Sequence, residues 1–175
     1  MNARAIGAAV AFGIFGLDQF VKWWVTGTLG ISNHGDVMDI VPIFALRYAE
    51  NPGVSLGMLS ATSDTMRWGL VALTGIIAVV VTVWMMRERR LADILPLALI
   101  LGGALGNIRD RVQFGYVIDY ADLHFGDFRP FMIFNLADAA ISIGVAILLA
   151  RALLVRDKSG HAEDGAPGGP SETIR

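Results

Sequence analysis

Four apolar stretches, at about residues 4–24, 67–86, 92–110 and 131–151, decide the class of this chain before any motif is considered. About 20 predominantly apolar residues cross the hydrocarbon layer as a helix. In lipid, only helices and closed barrels satisfy every backbone N–H and C=O internally. Composition agrees: 54% of the 175 residues are hydrophobic and 17% are charged, against about 25% charged in soluble domains. A membrane all-α core of four transmembrane helices is therefore expected. Trp23, Trp24, Trp68 and Trp84 fall near span ends, where indole rings favour the interface. The first stretch follows Arg4 and runs through Trp24 without a short core and small-residue cleavage site, so it reads as a retained span.

Orientation follows from the cations. Arg87, Arg89 and Arg90 occupy the link between spans two and three, and Arg151, Arg156 and Lys158 follow span four. Arg4 precedes span one, whereas the 25–66 loop holds only Arg47. The positive-inside rule then makes both termini cytoplasmic and turns the two long loops outward. Within 25–66, "MDIVPIFALRYAENPGVSLGML" carries β-leaning runs broken by the turn signal Asn51-Pro52-Gly53. A small extracytoplasmic β-structured cradle is expected there. The aromatic-rich outer loop 112–130 suits the membrane interface. Residues 1–156 form a single membrane domain, and 157–175, rich in Gly, Pro and charge, read as a disordered cytoplasmic tail.

Polar residues gather in three sets near the outer ends of spans: Asp18 with Lys22, Asn107 with Asp110 and Arg111, and Asn135 with Asp138. Each set shares one helix face. With span four beginning at residue 131, Asp138 should lie roughly 12 Å below its start. Three polar faces at one depth are satisfied at least cost by meeting. Asp18 and Lys22 read as a charge-compensated structural pair. Asp110 and Arg111 can neutralise each other or serve a substrate. Asn107 and Asn135 can bond between helices, and the glycines of "GGALGN" can serve close packing. His34, His124 and His161 read as surface residues.

Several chemistries fall away. There is no cysteine, hence no thiolate nucleophile, disulfide or cysteine metal site. No HExxH motif is present, Ser142 has no base at helical spacing, and a net charge of −2 argues against a nucleic-acid partner. Carboxylate chemistry remains: two close acids share one proton and can together activate water and polarise a carbonyl. Asp138 is one candidate; Asp110, Asp119, Asp122 and Asp18 compete as its partner, and spacing does not choose among them. A small proton- or ion-coupled transporter is the alternative, disfavoured because the inner half lacks polar groups and no inverted repeat is evident.

The blocks "GLDQFVKWW", "NPGVSLG", "GGALGNIRDRVQFGYVIDY" and "FNLADAAI" resemble, in order and spacing, those of the lipoprotein signal peptidase (signal peptidase II) family, over about residues 14–150. The resemblance implies a four-span aspartic endopeptidase of the bacterial inner membrane, working without cofactor or metal near the extracytoplasmic face. Its substrates would be diacylglyceryl-modified prolipoproteins, cut on the amino side of the lipidated cysteine, amid membrane phospholipid. It implies Asp119 and Asp138 as the catalytic pair. Asp18, Lys22, Asn51, Gly53, Asn107, Asp110, Arg111 and Asn135 also fall on motif positions. On that footing Asn135 would orient Asp138, Arg111 would bind substrate carbonyls with Asp110 holding its guanidinium, and Asn51 would reach toward the peptide. Val54-Ser55-Leu56 and Tyr120 depart from the usual pattern, at positions expected to shape the cradle and its lipid contacts. A monomer is expected.

Overall fold

The computed structural model describes residues 2–53, 64–126 and 128–163, with 155–163 as backbone only. Val54, Ser55 and Leu56 lie outside the described residues. Helix α1, Ala3–Trp23, continues into a π-helical turn, Trp24–Thr28. Strands β1, Val37–Val41, and β2, Phe44–Asn51, follow, then α2, Asp64–Arg87, and α3, Leu91–Phe114. Strand β3, Val117–Leu123, leads to α4, Leu136–Glu163. All four α-helices contain segments long and apolar enough to cross a membrane: Ala3–Thr28, Asp64–Arg87, Leu91–Phe114 and Leu136–Leu154.

Helix α3 is the hub. Over half of its most apolar window, 56%, is buried inside the protein, against 17% for α2. Glycines permit that central position. A Cβ on Gly102 would stand 2.5 Å from the Ala11 carbonyl oxygen of α1, and one on Gly103 would collide with the Ala137 carbonyl of α4. The two neighbours therefore approach α3 backbone to backbone, which small residues allow in membrane bundles. Helix α2 buries only Ala78, Val81 and Met85 and presents Leu73, Ile76, Val79 and Val80 outward, a surface matched to lipid chains.

The three strands form one antiparallel sheet in the order β1-β2-β3. Sequence pattern places the sheet wholly within 25–66, but its third strand comes from the loop between α3 and α4. Ala49 pairs with Asp119, and Asn51 with Val117. Val25, Ile31, Leu46, Tyr48, Ile118, Tyr120 and Ala121 form a small core between the sheet and the end of α1.

The fourth span also begins later than expected. Residues 131–135 are not helical, because the sheet takes up the backbone of Phe134. Its carbonyl accepts from Tyr120 N–H at 3.1 Å and Ala121 N–H at 2.7 Å, and its N–H donates to the Ala121 carbonyl at 3.1 Å. Helix α4 starts at Leu136, so Asp138 stands in its first turn rather than two turns down. The carboxylate sits where the helix macrodipole favours an anion. At the other end α4 runs on to Glu163, into the stretch expected to be tail; residues 164–175 lie outside the described residues.

Candidate active site

The first turn of α4 has orphan backbone donors, and each finds a side chain. Asn135 Oδ1 accepts from Asp138 N–H at 2.9 Å, while Asp138 Oδ2 accepts from Asn135 N–H at 3.2 Å. This is a reciprocal capping box, with Asn at the cap and Asp three residues on. Leu136 N–H donates to the Tyr120 hydroxyl at 3.2 Å. Ala137 N–H donates to Asp18 Oδ1 at 3.0 Å. Tyr120, expected to shape lipid contact, is thus buried and caps a helix.

Asp18 and Lys22 pair as expected, at 2.8 Å, but they are not a pair alone. Lys22 Nζ also lies 2.7 Å from Asp110 Oδ2. Gln19 Nε2 joins both carboxylates, donating to Asp18 Oδ2 and to Asp110 Oδ1 at 3.0 Å each. Arg109 in turn donates to Gln19 Oε1. Asp110 does not hold the Arg111 guanidinium, because adjacent residues on a helix do not face each other. Asp110 turns toward α1 instead, and its second oxygen also accepts Ile118 N–H at 3.3 Å.

Strand β3 carries Asp119 to the same place. Asn51 Nδ2 donates to Asp119 Oδ2 at 3.0 Å across the β2–β3 ladder. Asn135 Nδ2 donates to Asp119 Oδ1 at 2.6 Å. Asn107 Nδ2 donates to Asp138 Oδ1 at 2.8 Å, and Asn107 Oδ1 accepts from Asn135 at 3.3 Å. Asn135 therefore touches both acids. The turn after β2 closes with Asn51 Oδ1 accepting Gly53 N–H at 2.9 Å, and Gly53 has φ +91°. A Cβ there would stand 3.4 Å from Arg111 Nη2, so the guanidinium lies against the turn. Arg111 Nε is buried and makes no hydrogen bond among the described residues; Asp138, Asp119 and Asp110 are the carboxylates whose charge it feels.

One side of Asp138 opens on a cavity of about 250 Å³, lined also by Phe131, Phe134, Ala139 and Ser142. Asp119, by contrast, is only 2% exposed. Burial, then the charge of Asp138, raise its carboxyl to about 6, against the opposing pull of the Asn51 and Asn135 amides and of Lys22. The fold thus binds that proton more tightly than the unfolded chain does. Stability falls as pH rises from about 4 to about 6 and the acid ionises inside the fold. Asp119→Asn should accordingly raise the thermal midpoint at pH 7.5. The gain is on the order of 1 kcal/mol, because one of the two amide donors loses its acceptor. It should shrink toward pH 4. A midpoint difference independent of pH would contradict the raised carboxyl.

The other candidate partner, Asp122, is held elsewhere. Arg47 Nε lies 3.0 Å from it and Arg129 Nε 3.2 Å. Sequence pattern does not single out Gln19, Arg47 or Arg129 for these roles. Gln19 carries a usable signal, three residues before Lys22 in a span otherwise poor in amides. The Asp122 pairs carry none, because they depend on strand register.

A four-helix membrane bundle capped by a three-stranded sheet, with its buried polar groups gathered at the sheet end, defines an integral membrane enzyme whose candidate chemistry is carboxylate-based. The family model for signal peptidase (SPase) II matches residues 10–154. The chain is 58% identical to the lipoprotein signal peptidase of Sphingopyxis alaskensis over 158 residues, 90% of this chain and 89% of that one. It is 48% identical to that of Rhizorhabdus wittichii over 161 residues, 92% and 93% of the two chains. A bacterial membrane enzyme structure obtained by the in meso method superposes with a TM-score of 0.73 at 25% identity, covering 95% of each chain. A second gives 0.74 at 26% identity, covering 85% of this chain and 93% of the other. The chain belongs to the signal peptidase II family. It is a hydrolase that cleaves signal peptides, and a multi-pass protein of the bacterial inner membrane.

Proposed function

We propose that Asp119 and Asp138 are the catalytic acids of this peptidase and share one proton across the scissile peptide bond. The observation that carries the reading is Asn135, whose side chain donates to Asp119 and whose backbone N–H donates to Asp138. The remaining candidates are each paired with a cation within 3.0 Å, Asp18 and Asp110 sharing Lys22 and Asp122 meeting Arg47. The ionised member of the pair takes a proton from water as the oxygen attacks the carbonyl carbon. The protonated member donates to the carbonyl oxygen, giving a tetrahedral intermediate. Collapse breaks the C–N bond as a proton passes to the leaving nitrogen.

The substrate is a prolipoprotein bearing diacylglycerol on its cysteine. The cavity beside Asp138 is walled by Phe131 and Phe134; on this reading the peptide enters there sideways from the bilayer while its acyl chains remain among lipids. Arg111, with Nε unpaired among the described residues, offers donors to the peptide backbone, and its guanidinium lies against the turn of Asn51 and Gly53. Both termini are cytoplasmic, the sheet is extracytoplasmic, and the enzyme works as a monomer without nucleic acid, cofactor or metal.

An ion-coupled transporter needs polar groups along its whole path. Among the described residues the buried polar ones, Asp18, Lys22, Asn107, Asp110, Asp119, Asp122 and Asn135, all cluster at the sheet end. Reconstitution into vesicles with no ion gradient tests the point. A diacylglyceryl-modified precursor should be cut before its cysteine and the unlipidated peptide left largely intact. Cleavage indifferent to the lipid, or a requirement for a gradient, would overturn the substrate assignment.

A further inference from the structure

Two carboxylates on different helices make matching sets of contacts. Asp18 binds Lys22, Gln19 and the N–H of Ala137, the residue before Asp138. Asp110 binds Lys22, Gln19 and the N–H of Ile118, the residue before Asp119. All three charges are buried, at 0%, 2% and 0% exposure for Asp18, Lys22 and Asp110. Removing three charges from water is a large outlay for stability alone, since buried ion pairs are often matched by apolar residues of similar volume. The excess negative charge is met by backbone donors, one at the head of α4 and one on β3. Those donors lie next to the two acids.

We infer that Asp18, Lys22 and Asp110 form a spacer that sets the distance between Asp119 and Asp138, and are positioning residues for the reaction rather than a structural ion pair. Lys22 is the shared fixed point. Through Asp18 it holds the first turn of α4, and through Asp110 it holds the start of β3. A strand and a helix from opposite sides of a loop are thereby locked to one ammonium group on α1. Gln19 runs parallel to Lys22 as a neutral strut. Arg109, bonded to Gln19 Oε1, orients the amide so that its nitrogen faces the carboxylates. The inference rests on Asp119 and Asp138 being the reacting pair.

A double-mutant cycle on Asp18→Asn and Asp110→Asn tests it. Asparagine keeps an oxygen for the backbone N–H but removes the charge that grips Lys22. Each single variant should lower kcat per folded molecule by about tenfold or more, since a displacement near 1 Å at a reacting centre is felt that strongly. KM for the lipidated precursor should change less than about twofold, because the substrate contacts proposed for Arg111 and Asn51 are untouched. The double variant should fall within about threefold of the worse single one, because both act through one lysine. Losses that multiply, that appear in KM, or that vanish once the folded fraction is counted would overturn the spacer. If either variant does not fold, Gln19→Met, which leaves all three charges in place, should still lower kcat with KM unchanged; unchanged kcat would overturn the inference. Asp119→Asn and Asp138→Asn run alongside separate the two ideas. If either of those still cuts, the catalytic pair is wrong; if both are dead while the cycle gives independent losses, only the spacer is wrong.

Discussion

Asp119→Asn and Asp138→Asn should each leave a folded, membrane-inserted protein that accumulates uncut precursor, with turnover lower by at least about 10³-fold. An amide can neither accept the proton of water nor supply one to the leaving nitrogen, so under the proposed mechanism each substitution removes a necessary step. Removing one member of a catalytic unit costs nearly as much as removing all of it, and the double variant should be no slower than either single one. Folding is the usual confounder, and here the two positions behave differently. Asp119 carries a carboxyl raised to about 6 by burial and by Asp138, so its amide variant should be the more stable at neutral pH while inactive. Asp138 is the N3 partner of the α4 capping box, and Asn preserves an acceptor for Asn135 N–H. Cleavage assays on lipidated precursor, paired with thermal midpoints of the same preparations, check this. Turnover within tenfold of the parent in either variant would exclude that acid from the chemistry.

The helices are legible because hydropathy over about 20 residues measures the quantity that lipid selects. One boundary misleads for a physical reason. Phe131, Met132, Ile133 and Phe134 are apolar enough to extend the fourth span, and hydropathy does not register that the Phe134 backbone belongs to the sheet. The better signal is Asn135 followed three residues later by Asp138, a pattern that marks a helix start. The third strand, "VIDYADL", is hidden by its two acids, which lower apolar content although both are buried: Asp119 by Asn51 and Asn135, and Asp122 by Arg47 and Arg129.

The convergence of Asp18, Lys22, Asn107, Asp110, Asn135 and Asp138 is legible for a related reason. Helical spacing fixes which residues share a face, and polar groups at one depth in lipid seek one another. That Asn135 touches Asp119 as well as Asp138 is not legible from that rule, because Asp119 arrives on a strand. Its place depends on register, Ala49 against Asp119, and on Asn51 at the strand end reaching diagonally across. Charge pairing is misjudged where sequence adjacency stands in for direction. Asp110 and Arg111 are neighbours in the chain, yet Asp110 turns toward Lys22 on α1 while Arg111 rests against Gly53.

Asn135→Asp should cost on the order of 10²-fold in turnover at neutral pH while leaving α4 intact, and the two effects can be separated. Asp is as good a helix cap as Asn, so the Oδ1 contact with Asp138 N–H survives. What changes is Nδ2, which donates to Asp119 Oδ1 at 2.6 Å and also points toward Asn107 Oδ1 and the Ile118 carbonyl. Replacing that donor by a carboxylate oxygen puts a third negative charge against the pair, in a site where Asn135 itself is 0% exposed. Such a charge drives protons onto its neighbours, so the state with one proton across Asp119 and Asp138 is lost to one with more. Raising the pH should partly restore activity, because it draws off the surplus proton. Asn135→Ala makes the opposite trade: it loses the cap, at about 1 kcal/mol, but adds no charge. It should melt later than Asn135→Asp, which buries an unpaired charge, and turn over faster at neutral pH. Steady-state cleavage across pH 5–8 with thermal midpoints for both variants decides the matter. If Asn135→Asp cleaves as fast as the parent at pH 7.5, the contact between Asn135 and Asp119 has no part in catalysis, and the case for pairing Asp119 with Asp138 loses its main support.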